Sequence, residues 1–132
     1  MARAPGRNRA CSKATIAGRR AKADEFWASA CEADVLHPHD HADSVIQMCV
    51  LAGIAAADVI CCVRLGEHAD GQAHNAAVAL LAKVDQKLAT SLGILLRQKT
   101  DSAYREKASS SAKRRAAKHA AEVLVEAARL AR

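Results

Sequence analysis

One stretch of the chain restricts its fold more than any other: Val45-Ile46-Gln47-Met48-Cys49-Val50-Leu51-Ala52-Gly53-Ile54, which coiled as a helix is apolar on nearly every side. A surface helix carries a single apolar stripe, whereas one that is apolar all round lies at the centre of a bundle or in a membrane. The apolar character continues to Val63, a length that approaches a membrane span. Gln47, Asp58 and several weakly hydrophobic alanines weigh against insertion. The reading is therefore a central helix over about 42–65 and no membrane. Asp40 or Asp43 is available as its N-cap, and Gly66 stands just past its end.

Composition agrees with a helical chain. Of 132 residues, 51% are hydrophobic but only 2% are aromatic, because alanine fills about a quarter of the positions. Alanine is the best helix former and adds little to the packed face of a sheet. With 6 Gly and 2 Pro to place turns, an all-β sandwich or barrel is excluded. The predicted fold is all-α, an antiparallel four- to five-helix bundle with no strands. A first helix spans about 20–36 and ends at His37-Pro38, since a residue before proline resists the helical region. Gly66–Gly71 reads as a polar loop. A third helix over about 73–84 places Val78, Leu81 and Val84 at helical spacing. After a break near Asp85, a fourth carries Leu88, Leu92, Leu95 and Leu96 to about Ala103. Ser109-Ser110-Ser111 reads as loop and cap. A fifth helix over about 111–131 aligns Ala116, Ala120, Val123, Ala127 and Leu130 in one stripe.

The net charge of +6 is unevenly spread: residues 1–22 carry +7, residues 23–96 carry −7 and residues 97–132 carry +6. An acid-free start containing Pro5-Gly6 and Gly18 reads as a disordered basic tail over 1–20, followed by one bundle domain over 21–132. Such a tail offers non-specific contact with RNA or DNA. Acidic middle and basic ends are complementary within one molecule or between two copies, so a homodimer is expected. Cys11, Cys31, Cys49, Cys61 and Cys62 form no C-x-x-C pair. Adjacent Cys61 and Cys62 point about 100° apart on a helix. Buried reduced thiols in a cytoplasmic protein are the plain expectation.

Phe26, Trp27 and Tyr104 are too few for base-stacking nucleic-acid modules. Phosphate loops, dinucleotide fingerprints, zinc signatures and nucleophile elbows do not occur in the sequence. His37-Pro38-His39-Asp40-His41 has the residue types of a zinc, nickel or copper site. Its position at a helix–helix connection favours an exposed turn instead, so no metal and no cofactor are expected. His68 and His74 flank the Gly66–Gly71 loop near Arg64. They read as solvated loop residues, with an acid–base and phosphate-binding pair as the alternative.

Arg97-Gln98-Lys99-Thr100-Asp101-Ser102-Ala103-Tyr104 carries a resemblance. Over about 24–132 the chain resembles the HEPN-type helical domains of prokaryotic nucleotide-binding and RNase-toxin proteins. Their motif is an arginine, usually followed by asparagine, with a histidine four to six residues after the arginine and often a tyrosine two beyond. Arg97 and Tyr104 fall at the outer positions, Gln98 replaces the asparagine, and Ser102 stands where the histidine belongs. The resemblance implies a dimer, a toxin–antitoxin or stress-defence setting, an RNA target and a nucleotidyltransferase-like partner protein. In active members the histidine activates a ribose 2′-hydroxyl while the arginine steadies the phosphate. Serine does not titrate near neutrality, so that route is closed here.

Arg114-Arg115-Ala116-Ala117-Lys118-His119 repeats the arginine-to-histidine spacing, although on a continuous helix that pair diverges by about 140°. The first reading is thus a catalytically degenerate HEPN-like binding module, with Arg97, Ser102 and Tyr104 as ligand-binding residues. One alternative is a metal-independent RNase toxin using Arg97 or Arg114 with His119 or His74. The other is a structural nucleic-acid-associated protein acting through its basic tail.

Overall fold

The computed structural model describes residues 8–70 and 74–132. Five helices follow one another: α1 Lys13–Leu36, α2 Ala42–Leu65, α3 His74–Ala82, α4 Gln86–Tyr104 and α5 Ser111–Leu130. Two short strands, β1 Arg9–Ala10 and β2 Glu67–His68, pair antiparallel beside them. The expected all-α class holds apart from this small ladder.

Helix α2 packs against α1, α3, α4 and α5. Val45, Ile46, Cys49, Val50, Ala52, Ala56 and Val59 along it are fully buried. Over its most apolar 18 residues the mean hydropathy is 2.2, long and apolar enough to cross a membrane, yet 72% of that stretch is covered by the rest of the chain. Helices α1 and α4 run opposite to it, while α5 runs in the same direction, with Ser109 meeting Asp43 and Leu124 meeting Gly53. On α4, Lys99 and Ser102 meet Gln47 near the start of α2, and Leu95 meets Gly53 further along. On α1, Arg19 meets Asp58 near the end of α2. Helix α1 also runs opposite to α5: Arg20 donates to the carbonyls of Ala128 and Ala131, while Asp34 meets Arg114.

Local signals account for most helix ends. Gly66 stops α2 in the left-handed conformation at φ 76° and donates its N–H to Cys62 O. Asp85 caps α4 by accepting from Lys87 N and Leu88 N, and Ser110 caps α5 by accepting from Lys113 N. Neither Asp40 nor Asp43 caps α2. His41 holds the N-cap position without a side-chain bond, and Asp43 Oδ1 instead accepts from Ser109 N at 3.3 Å.

The N-terminal segment differs most from expectation. Helix α1 begins at Lys13, where Ser12 caps it, not at Arg20. Gly18 lies inside the helix, a tolerable cost where surrounding residues favour the coil. Of the expected basic tail, residues 1–7 lie outside the described residues and 8–20 are built into the fold. Asn8 Nδ2 donates to Glu67 Oε1, Cys11 N donates to Gly66 O, and Arg9 sits 3.7 Å from Asp70. The supposed loop after Gly66 is thereby the partner strand of β1, with His68 and Ala69 buried.

Cys11 and Cys62 are joined by a disulfide, which overturns the expectation that all five thiols are reduced; Cys31, Cys49 and Cys61 are free. Burial pushes the Cys49 and Cys61 thiols up to about 12, so both are poor nucleophiles.

The stripe on α5 is also rotated. Ala117, Ala120, Ala121, Leu124, Val125 and Ala128 are buried, whereas Ala116 is exposed and Leu130 is 74% exposed. Alanine occurs in adjacent pairs along this helix, so alanine periodicity leaves its phase open. Arg114 fixes it by turning inward at the head of the helix.

Candidate ligand-binding groove

Helices α3 and α4 leave an open groove of about 500 Å³ between them, lined by His74, Asn75, Val78, Gln86, Gly93 and Arg97 among others. The chain between them is only Lys83–Asp85, whose backbone turns on hydrogen bonds back to Leu80 and Leu81. Gly93 keeps the wall low one helical turn before Arg97. A Cβ there would lie 3.4 Å from Arg97 Nη1, so the guanidinium folds back along α4 over the glycine.

Lys99 stands beside the groove, with its Nζ 3.4 Å from Nε2 of the lining residue His74. Burial, reinforced by the Lys99 ammonium, holds the His74 imidazole below its ordinary range, so the ring is neutral at pH 7. Among the described residues, neither Arg97 nor Lys99 stands in an ion pair with a carboxylate. Several other cations do pair with carboxylates, as Arg9, Arg19, Lys118 and Arg129 face Asp70, Asp58, Asp34 and Asp24. The charge complementarity visible in the sequence is thus exercised within one molecule.

Ser102 and Tyr104 do not join Arg97. Five residues along a helix is a turn of about 140°, which sends Ser102 to the α2 side. There Gln47 Nε2 donates to Ser102 Oγ at 2.6 Å and to Lys99 O at 2.7 Å, and Ser102 Oγ donates to Gln98 O at 2.7 Å. This knot, with Ser102 buried and Gln47 half-buried, ties α2 to α4. Gln98 Oε1 beside it is buried without a hydrogen-bond partner. Tyr104 ends α4 with 83% of its surface exposed and lies outside the groove.

The rival cluster on α5 resolves differently. Arg114 and His119 do line one surface depression, together with Asp34, His39, Arg115 and Glu122. Arg114, however, is engaged through all three of its nitrogens. Nε donates to Asp34 Oδ1, Nη1 to Asp40 O, and Nη2 to the carbonyls of Asp34 and His37. It clamps the α1–α2 corner, so the fork that would grip a phosphate is already committed. Spacing alone admits Arg114 as a catalytic candidate; its burial beside Asp34 is not legible there.

His68 is buried with Nδ1 against Ala69 O, and Arg64 is exposed at the end of α2. No known protein family, no curated protein and no solved structure matches the chain. The site is therefore read from its own chemistry.

Proposed function

We propose that the chain is a HEPN-like helical binding module, catalytically degenerate, that holds a phosphate-bearing strand, RNA, in the groove between α3 and α4. The observation that supports this reading is that Arg97 and a neutral His74 line one open groove, with the Lys99 ammonium 3.4 Å from the His74 ring. Arg97 supplies the planar donor fork suited to a phosphate, and Lys99 a second cation within the same stretch of helix. The groove lacks aromatic platforms, so contact is to the backbone of the strand and not to its bases.

Catalysis by the HEPN route has no base in this arrangement. Ser102 is committed to the α2–α4 knot, and His74 Nε2 faces the Lys99 ammonium, which occupies the lone pair a general base needs. The second reading, a metal-independent RNase, is favoured by one feature: His74 shares the groove with Arg97 and has a neutral ring. The basic-tail reading loses support because Arg9, Arg19 and Arg20 are bonded within the fold. A homodimer, a nucleotidyltransferase-like partner and a toxin–antitoxin or stress-defence setting complete the proposal on the strength of the resemblance, while the cytoplasmic location expected from reduced thiols loses that support to the Cys11–Cys62 disulfide.

Incubating the protein with labelled single-stranded RNA in the presence of a chelator separates the readings. Binding that leaves the RNA intact and weakens in Arg97→Ala supports the module. Cleavage abolished by His74→Ala would replace it with the RNase.

A further inference from the structure

The corner between α1 and α2 brings together three side chains that the groove does not use. His37, Asp40 and His41 each offer one donor atom, and these atoms lie within 4.8 Å of one another. His37 Nδ1 is 3.4 Å from Asp40 Oδ1, and His41 Nε2 is 3.8 Å from Asp40 Oδ2. The two imidazoles stack with centroids 3.8 Å apart and planes 25° from parallel, so one ring turns about its side-chain bonds for both nitrogens to face a single ion.

The corner is built rather than loose. Arg114, itself buried, reaches across from α5 and donates to the carbonyls of Asp34, His37 and Asp40, which fixes the backbone carrying two of the three donors. His41 is the single non-glycine residue with a positive φ among the described residues, at 58°. That left-handed backbone sets its ring against His37. Sparsely populated conformations of this kind persist where the surroundings over-determine them and cluster at functional positions.

We propose that His37, Asp40 and His41 form a binding site for a divalent transition-metal ion, zinc being the best match. Two borderline imidazoles with one carboxylate make a set suited to zinc and unlike the all-oxygen sets that calcium and magnesium require. Three protein ligands leave a fourth position for water. The side chains are 40%, 69% and 50% exposed, so the ion enters without opening the bundle. Once bound, it would join the end of α1 to the start of α2 beside the Arg114 clamp.

The test is calorimetric titration of the untagged full-length protein with zinc chloride. One ion per chain is expected, with affinity falling by roughly tenfold or more in His37→Asn, Asp40→Asn and His41→Asn. Asparagine tolerates the left-handed backbone, so His41→Asn removes the ligand and keeps the turn; circular dichroism checks that each variant is folded. His39→Asn, in the same loop but outside the cluster, should bind as the wild type does. Zinc should also raise the unfolding midpoint of the wild type and not of His41→Asn. Absence of binding, equal loss in His39→Asn, or an isotherm unchanged by all three cluster variants, as capture by the free cysteines would give, overturns the proposal.

Discussion

Arg114 Nε donates to Asp34 Oδ1 at 2.7 Å and ties the first turn of α5 to the end of α1. Lys118 Nζ reaches the other carboxylate oxygen at 2.8 Å. The Lys118 hydrogen bond, with Arg114 adding to it, holds the Asp34 carboxyl below its ordinary value of 3.8 against the opposing effect of burial. A carboxyl lowered in the fold contributes stability above its unfolded pKa and loses it as pH falls through the folded one. Asp34→Asn strands a buried guanidinium that keeps three carbonyl acceptors. The expected loss is about 2–3 kcal/mol at pH 7. Urea unfolding should show this gap at pH 7 and its narrowing toward pH 3.

Gly53 marks the closest approach of α2 to its neighbours. A Cβ there would fall on Leu95 Cδ1 and lie 3.3 Å from Leu124 Cδ1, both on fully buried leucines. Gly53→Ala is therefore expected to destabilise by about 1–3 kcal/mol through overpacking, although alanine is the better helix former. Chemical denaturation reads the sign directly: a stabilised variant would mean that α2 and α4 are not packed as described.

Asp58 has the opposite pH behaviour from Asp34. Burial pushes its carboxyl up, only partly countered by Arg19 and His68. The folded state therefore holds the Asp58 proton more tightly than the unfolded chain, and this contribution to stability is lost as pH rises from 3.8 through the folded value. Asp58→Asn mimics the protonated form. Its stability relative to wild type should increase between pH 4 and pH 7, measured by thermal unfolding at both. A relative decline over that range would show that the Arg19 pair outweighs burial.

The Cys11–Cys62 bond closes a separation of 51 residues. The chain-entropy model assigns such a loop about 4 kcal/mol. Reduction, or Cys62→Ser, should lower the unfolding midpoint and increase amide exchange at Arg9 and Ala10, whose strand it secures. A midpoint equal with and without reductant would show that the bond contributes nothing to stability.

How much of the fold is legible in the sequence varies with the kind of signal. Helix α2 is readable to the residue because a nearly continuous apolar run is followed by Gly66, and Leu92 and Leu95 announce the buried face of α4 by their spacing. The start of α1 is not, because Gly18 and a run of arginines look like a tail. Contacts distant in sequence hold that segment in place, from Arg19 to Asp58 and Arg20 to Ala131. On α5, paired alanines offer two equivalent faces, and only the inward turn of Arg114 decides between them. A motif singles out Arg97, yet the sequence joins His74 to it only in an alternative reading, because α3 and α4 meet by packing. The motif position at Ser102 is an internal fastening between α2 and α4, so Ser102→His should disrupt the Gln47 knot rather than restore a base.

At the centre of the proposed function, Arg97 and Lys99 bind the phosphates of an RNA strand, and the salt dependence of binding tests this most directly. Fluorescence anisotropy with a short single-stranded RNA, repeated over a range of salt concentrations, gives the slope of log affinity against log salt. Removing one phosphate-binding cation flattens that slope by about 0.7. The Arg97→Ala/Lys99→Ala protein is expected to bind more weakly and with a flattened slope, its helical content unchanged by circular dichroism. Wild-type affinity and an unchanged slope in that variant would contradict phosphate binding by these two side chains.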